Sequence, residues 1–142
     1  MRLEELRALS RGFAPPILLD RGLVAALESA AVRSPIAARV TDTLPGDARL
    51  PQEVQRNAYF VASEALTNAI KHSGATVIEI GVGLSGSELA VTVADNGTGG
   101  AVPTPGHGLV GLEERMRGIG GTFEVSSPPG GPTVVSARLP LG

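Results

Sequence analysis

The 142-residue sequence contains no cysteine. This absence excludes disulfide bonds, thiolate zinc sites and a cysteine nucleophile, and it fits a protein of the reducing cytosol. The apolar runs are far too short to cross a membrane, and the segment that begins at Met1 has no signal-peptide character. We therefore expect a cytoplasmic domain that makes no membrane contact itself, although a full-length parent protein could be membrane-anchored.

Aromatic residues and lysine are also scarce. Aromatic side chains make up 3% of the chain and the formal net charge is -2, so the sequence offers neither stacking platforms nor a basic stripe for nucleic acid. Lys71 is the only lysine beside eleven arginines. Because lysine is a compact point charge and arginine a planar fork, Lys71 is either a chance occurrence or part of a site that selects a phosphate oxygen.

Hydrophobic spacing and turn residues predict one domain in which helices and strands alternate unevenly. Helices are predicted over residues 3–13, after the N-cap candidate Asp20, over 51–72 and over 109–119. Strands are predicted over residues 36–40, 78–84, 89–93, 123–126 and 133–139. Pro15 and Pro16 are expected to end the first helix, Pro51 to open the long one, and Ser73-Gly74 to stop it. This order favours a mixed sheet covered by helices on one face.

One face of the long predicted helix carries a polar stripe. Asn57, Glu64, Asn68 and Lys71 fall within roughly 60° of one another at helical periodicity. Such a stripe is usually a solvated surface. The alternative is a ligand site, because a carboxylate and a carboxamide one turn apart supply oxygen ligands for partly hydrated Mg²⁺, and Lys71 could meet phosphate oxygens.

A second candidate site is the segment Asp95-Asn96-Gly97-Thr98-Gly99-Gly100. Asp95 continues the inward phase of the preceding predicted strand, so its carboxylate should point toward the core and require a hydrogen-bond donor. Adenine N6 would be such a donor, and Gly97 and Gly99 would let the backbone approach a flat ring. The alternative is an ordinary Asp-Asn-Gly turn between strands.

A third candidate is Gly106-His107-Gly108-Leu109-Val110-Gly111, which formally matches the dinucleotide fingerprint G-x-G-x-x-G. That fingerprint must follow a strand directly, whereas a proline-rich stretch precedes this segment. The glycines could still open a helix whose backbone N–H groups bind an anion. A flexible loop followed by a helix start is the alternative.

Taken in order, these segments resemble the GHKL ATPase superfamily, which includes gyrase, heat-shock chaperones, mismatch-repair ATPases and bacterial histidine kinases. The matching boxes are Glu64-x-x-x-Asn68-x-x-Lys71-His72, Asp95-x-Gly97-x-Gly99 and Gly106-x-Gly108-Leu109-x-Gly111. Similarity to the sensor histidine kinases of the nitrate-sensor and lipid-desaturase-sensor type comes from Gly12-Phe13-Ala14-Pro15, Glu64-Ala65-Leu66-Thr67-Asn68 and Gly108-Leu109-Val110-Gly111-Leu112-x-Glu114-Arg115. The resemblance covers nearly the whole chain.

The resemblance implies a Bergerat fold, which is an α/β two-layer sandwich with a mixed, mostly antiparallel sheet and helices on one face. It also implies that ATP and Mg²⁺ are the cofactors. Asn68 and Glu64 would hold the metal, with Glu64 also the catalytic base or polarising carboxylate. Lys71, as the second catalytic group, and His72 would lie near the phosphates.

The same resemblance implies the rest of the nucleotide site. Asp95 would accept a hydrogen bond from adenine N6, with Gly97 and Gly99 beside the ring. The end of the ATP lid and the phosphate-binding helix start would be formed by Gly106, His107, Gly108, Leu109 and Gly111. Thr133 matches the last Gly-Thr box of the family, although Pro132 interrupts the usual Gly-Gly-Thr.

The resemblance further implies an ATP-binding catalytic domain over residues 15–142, preceded over 1–14 by the tail of a dimerisation helix or a linker. Sensor kinases of this type phosphorylate a histidine on a dimerisation domain and act indirectly on a response regulator. His72 lacks the context of such an acceptor, so we expect this chain, excised or naturally truncated, to be inactive in autophosphorylation alone. The alternatives are a stand-alone regulator like the anti-sigma serine kinases and a nucleotide-sensing module without transfer activity.

Overall fold

The computed structural model describes residues 15–98 and 108–141, with the side chains of 108–110 left out of the description. Four helices lie in these ranges: α1 (Pro16–Arg21), α2 (Leu23–Arg33), α3 (Gln52–His72) and α4 (Gly108–Gly118). Five strands accompany them: β1 (Ala37–Asp42), β2 (Val77–Ser85), β3 (Glu88–Asp95), β4 (Thr122–Ser126) and β5 (Thr133–Pro140). The helix predicted over residues 3–13 lies outside the described residues.

The five strands form one sheet in the order β1-β2-β3-β5-β4. β1 runs parallel to β2, whereas the other three neighbouring pairs are antiparallel. Both predicted hairpins, β2–β3 and β4–β5, are present. The two strands of the first hairpin are joined across Gly86, whose φ of 62° suits a tight turn.

Alternation along the strands assigns one face of the sheet to the core. Ile78, Ile80, Leu89 and Leu139 are buried and pack in the same cluster as apolar residues of all four helices, whereas Thr92 on the opposite face is exposed. Small residues along α3 let this helix approach the sheet closely: Ala58, Ala62, Ala65 and Ala69. The expected mixed, mostly antiparallel sheet with helices on one face is therefore confirmed.

The N-terminal part of the described chain departs from the sequence prediction. Pro16 begins α1, because a proline at the first helical position lacks an N–H that would be unsatisfied anyway. The end of the helix predicted over residues 3–13 lies outside the described residues. Asp20 lies inside α1 and is not an N-cap. Gly22, with a φ of 89°, instead separates α1 from α2 and occupies the N-cap of α2, where its backbone N–H donates to Leu18 O.

The long helix lies where it was predicted, although Pro51 occupies the position just before its first residue. Across the described residues, no helix combines the length and the hydrophobicity needed for a membrane span.

Candidate functional site

The end of β3 brings two buried polar side chains together. Asp95 is the last residue of this strand and lies in register between Ile78 on β2 and Thr133 on β5. Residues in register on neighbouring strands project to the same face, so Asp95 and Thr133 lie side by side beneath the helical layer. They are 6% and 7% exposed. Asp95 thus points inward, as predicted. Thr133 lies beside it on β5, which begins at Thr133 and leaves Pro132 outside the strand.

The buried carboxylate of Asp95 has one donor from its own turn. The Gly97 N–H donates to Asp95 Oδ1 at 2.8 Å, which is the short-range turn bond expected of an Asp two residues upstream. Within the described residues, the structure gives Oδ2 of Asp95 no hydrogen bond. One oxygen of the carboxylate therefore retains its capacity to accept from a ligand.

Ser73 joins the end of α3 to this turn. Its carbonyl oxygen accepts the Thr98 N–H at 3.0 Å, while its hydroxyl donates to Ala69 O and accepts the Ala75 N–H at 3.0 Å. A Cβ at Gly97 would lie 2.7 Å from Ser73 Cβ and closer still to Ser73 O. The absence of a side chain at Gly97 is therefore explained by the approach of the protein's own backbone, and its expected contact with adenine stays a prediction.

Asn96 and Thr98 fix the same turn to two further segments. Asn96 Oδ1 accepts the N–H groups of Thr76 and Val77 at 2.9 and 3.0 Å, which secures the start of β2. Thr98 O accepts the Gly130 N–H at 2.7 Å from the β4–β5 connection. The segment 95–98 is consequently held at the point where α3, β2 and the β4–β5 connection meet. Sequence reasoning missed this use of Ser73, Asn96 and Thr98, and its only signal was the helix-stopping Ser73-Gly74.

The polar face of α3 lies toward its C-terminal half. Glu64 and Asn68 are half-buried, whereas Lys71 and His72 in the last turn are exposed. Burial raises the pKa of the Glu64 carboxyl above its ordinary value, and the positive charge of Lys71 opposes that rise. Asn68 Nδ2 is buried and has no hydrogen-bond partner among the described residues. A buried amide group without a partner is costly, which marks this position as one where a ligand could complete the structure.

The fourth member of the predicted stripe, Asn57, is used differently. Its side chain is 4% exposed, and its Oδ1 accepts from Arg115 Nε on α4 at 2.8 Å. Asn57 therefore connects two helices through a hydrogen bond. Of the predicted polar stripe, Glu64, Asn68 and Lys71 remain available to a ligand.

The third predicted segment is described in part. α4 begins at Gly108, as the glycine pattern predicts, and Gly111 in its first turn is exposed. Gly99, Gly106 and His107 lie outside the described residues, and for Gly108 and Leu109 only the backbone is described. Anion binding at this helix start stays a prediction.

Residues 53–142 match the model of the histidine kinase-, DNA gyrase B- and HSP90-like ATPase family. The match spans the polar face of α3, Asp95, α4 and Thr133. The chain belongs to this ATPase family.

Curated relatives of this family member are sensor histidine kinases. It is 32% identical to the sensor histidine kinase MctS of Rhizobium johnstonii over 97% of the chain, and 30% identical to the sensor histidine kinase LiaS of Bacillus subtilis over 96%. It covers only 32% and 39% of those two proteins. The chain thus spans about a third of the length of these relatives.

Solved structures agree with this ATPase fold. The blue-light activated histidine kinase of Erythrobacter litoralis EL346 superposes with a TM-score of 0.63 at 24% identity, over 87% of this chain and 40% of that one. The Acinetobacter baumannii histidine kinase AdeS superposes with a TM-score of 0.61 at 16% identity, over 99% of this chain and 77% of that one. At these identities the likeness supports the fold alone, which is that of histidine kinase ATPase domains.

The residues of this ATP-binding domain fit a magnesium ion by their donor chemistry. Glu64 and Asn68 stand one turn apart and offer oxygen ligands, and a half-turn of the Asn68 carboxamide would present Oδ1 where the unpartnered Nδ2 now lies. Residues 15–98 and 108–141 contain no group of three acidic, histidine or cysteine side chains that could hold a metal. One or two side-chain ligands suit Mg²⁺, which keeps several waters and shares nucleotide phosphates.

Proposed function

We propose that this chain is the ATP-binding kinase domain of a two-component sensor histidine kinase of the nitrate-sensor and lipid-desaturase-sensor type. It would transfer the γ-phosphoryl group of ATP to a histidine on a separate dimerisation domain. The observation that carries this proposal is the arrangement around Ser73. Its carbonyl accepts from Thr98 and so ties the turn after Asp95 to the end of the helix that bears Asn68, whose Nδ2 has no partner among the described residues. Similarity to sensor histidine kinases along nearly the whole chain supports it.

In this proposal Asp95 selects the base. Its free carboxylate oxygen would accept from the N6 amino group of adenine, and Thr133 lies beside it to complete the polar edge of the pocket. Gly97 and Gly99 would border the ring. Because Asp95 is only 6% exposed, a hydrogen bond to its carboxylate would be stronger there than in water.

The phosphates would lie between α3 and the start of α4. Asn68 and Glu64 would hold Mg²⁺, which supplies charge neutralisation of the phosphate oxygens. Lys71 and His72 would contact the phosphates as hydrogen-bond donors. Backbone N–H groups of Gly108, Leu109 and Gly111, with Gly106 and His107 before them, would bind the anion at the helix start.

Transfer moves the γ-phosphorus from the bridging oxygen of ADP to a ring nitrogen of the acceptor imidazole. The bond between phosphorus and the bridging oxygen breaks, the phosphorus–nitrogen bond forms, and ADP leaves with the electron pair. Glu64 would accept or polarise the proton on the acceptor ring. Catalysis would rest on positioning and charge neutralisation rather than on covalent catalysis.

Nucleotide binding is tested by isothermal titration of the chain with a non-hydrolysable ATP analogue, with and without Mg²⁺. We expect binding that tightens with Mg²⁺ and loses this gain in Asn68→Ala. Thr67→Ala is the matched control, because Thr67 is exposed on the same helix next to Asn68. No heat at millimolar nucleotide would refute the proposal.

Transfer is tested by adding a dimerisation helix from a related sensor kinase in trans with γ-labelled ATP. We expect acid-labile, base-stable label on that helix and none on this chain alone. Label on His72 or His107 of the isolated chain would contradict the assignment of a separate acceptor. Label on a serine of a partner protein would instead favour a regulator like the anti-sigma kinases, and binding without any transfer would favour a nucleotide-sensing module.

A further inference from the structure

α3 and α4 are joined by a contact that the proposed nucleotide chemistry does not use. Arg115 on α4 donates from Nε to Asn57 Oδ1 on α3 at 2.8 Å. Its guanidinium carbon also lies 4.1 Å from the centre of the Phe60 ring, within the range of a cation–π interaction. One side chain thus contacts two residues that are neighbours on the same face of α3.

Asn57 holds the acceptor of this contact in a fixed orientation. Its Nδ2 donates to Glu53 O at 3.1 Å, which uses the other end of the same carboxamide. With the side chain 4% exposed, water cannot readily replace Arg115, so losing the arginine would leave a buried acceptor unsatisfied. The position of α4 against α3 is consequently defined by a directional bond as well as by apolar packing of Leu112 and Met116.

Helical geometry relates this contact to the proposed phosphate site on both helices. Asn57 precedes Asn68 by three turns, so the two side chains project from the same face of α3. Arg115 follows Gly108 by about two turns, or roughly 10 Å along the axis of α4. The bond therefore links the helix that begins at Gly108 with the face of α3 that bears Asn68.

We propose that Arg115 is a positioning residue for the triphosphate. Through Asn57 and Phe60 it fixes α4 relative to α3, so that the N–H groups at the start of α4 and the Asn68 side chain face the same phosphates. The inference rests on the proposed nucleotide site. The adenine end is independent of this contact, because Asp95 and Thr133 are held by the sheet and by Ser73.

The chain contains a matched control two residues away. Arg117 is exposed on α4 and pairs with Glu113 on its own helix at 3.3 Å. Replacing Arg117 removes the same charge from the same helix without touching the contact with α3. Arg117→Gln therefore reports the effect of charge alone.

The test compares affinities for adenosine and for a magnesium complex of a non-hydrolysable ATP analogue. We expect Arg115→Gln to weaken the triphosphate at least fivefold and to leave adenosine within twofold of the wild type. Asn57→Ala should show the same selective loss. The double variant should bind the triphosphate no more weakly than the more weakly binding of the two single variants, because both substitutions remove the same contact. Arg117→Gln should match the wild type for both ligands.

Two results would overturn the proposal. Triphosphate affinity within twofold of the wild type in Arg115→Gln would mean that the contact only packs the helices. An equal loss for adenosine and triphosphate would indicate general damage to the domain. If Arg115→Gln does not fold, Asn57→Ala and the conservative Arg115→Lys carry the same comparison. Failure of the wild type to bind any nucleotide would instead refute the proposed function itself.

Discussion

Gly97→Ala is expected to destabilise the domain strongly, although it adds a single methyl group. Gly97 is buried and has no positive φ, so the backbone itself would accept alanine. The obstacle is space: the new Cβ would lie 2.7 Å from Ser73 Cβ and 2.8 Å from Asp95 Oδ1, and nearer still to Ser73 O. Two of these neighbours are backbone or backbone-proximal atoms at the end of α3, which cannot swing away as a flexible side chain would.

The magnitude follows from what must move. Overpacking of a filled site costs about 1–3 kcal/mol. Separation of the turn from Ser73 would also weaken two hydrogen bonds, Gly97 N–H to Asp95 Oδ1 and Thr98 N–H to Ser73 O, at about 1 kcal/mol each. We expect a loss of about 3–5 kcal/mol in the free energy of unfolding, which for a chain of this size lowers Tm by roughly 10–20 °C.

Urea denaturation followed by circular dichroism measures this loss, with Gly46→Ala as the control. Gly46 is exposed, and a Cβ there would meet nothing within 4 Å. The control should stay within about 0.5 kcal/mol of the wild type. If Gly97→Ala were as stable as Gly46→Ala, the close approach of Ser73 to the turn would be refuted. A double variant with Ser73→Gly should recover part of the stability, because it removes the Cβ that the new methyl group meets.

The remaining predictions concern the two carboxylates of the proposed site. If Asp95 accepts from adenine N6, GTP should bind at least tenfold more weakly than ATP, since loss of a charged hydrogen bond costs about 1.5–3 kcal/mol. Competition titration measures the two affinities, and equal values would refute this role of Asp95. For Glu64, the folded-state pKa lies above the ordinary value of 4.5, so its ionised form opposes folding once pH rises above that value. Glu64→Gln should therefore raise Tm at neutral pH, and the gain should disappear as pH falls below the ordinary glutamate range. The exposed Glu28→Gln is the control, and a gain that persists in acid would contradict burial as the cause.

The strands and their inward faces could be predicted from the sequence because alternation is a local property. Side chains on a strand point to opposite faces in turn, so the hydrophobic phase of β3 already implied a buried carboxylate at Asp95. The long α3 was equally predictable, since its apolar and polar residues repeat at helical spacing. The sheet with helices on one face followed from the order of these elements. Local periodicity could not reveal α1, because a six-residue helix opened by proline contains too few positions for a pattern.

The candidate residues were also chosen from the sequence, but their grouping was decided by tertiary structure. Helical periodicity joined Asn57 to Glu64, Asn68 and Lys71, whereas packing of α4 assigned Asn57 to Arg115 and left the other three as the available face. The spacing of residues on one helix carries no information on where a second helix packs. For that reason the polar stripe could be predicted, but not which of its residues would contact α4.

Gly97 and Thr133 show the same limit at the sheet. The sequence marked Gly97 as a place of close backbone approach, but which atoms approach was fixed only when α3 ended against the turn at Ser73. Thr133 became the neighbour of Asp95 because β5 lies between β3 and β4 in the sheet. The sequence by itself determined which side chains of the strands point inward and where the long helix lies, since these depend on residues close along the chain. The tertiary structure alone decided which of them meet, because pairing of distant strands and helices depends on how all the apolar faces are buried together.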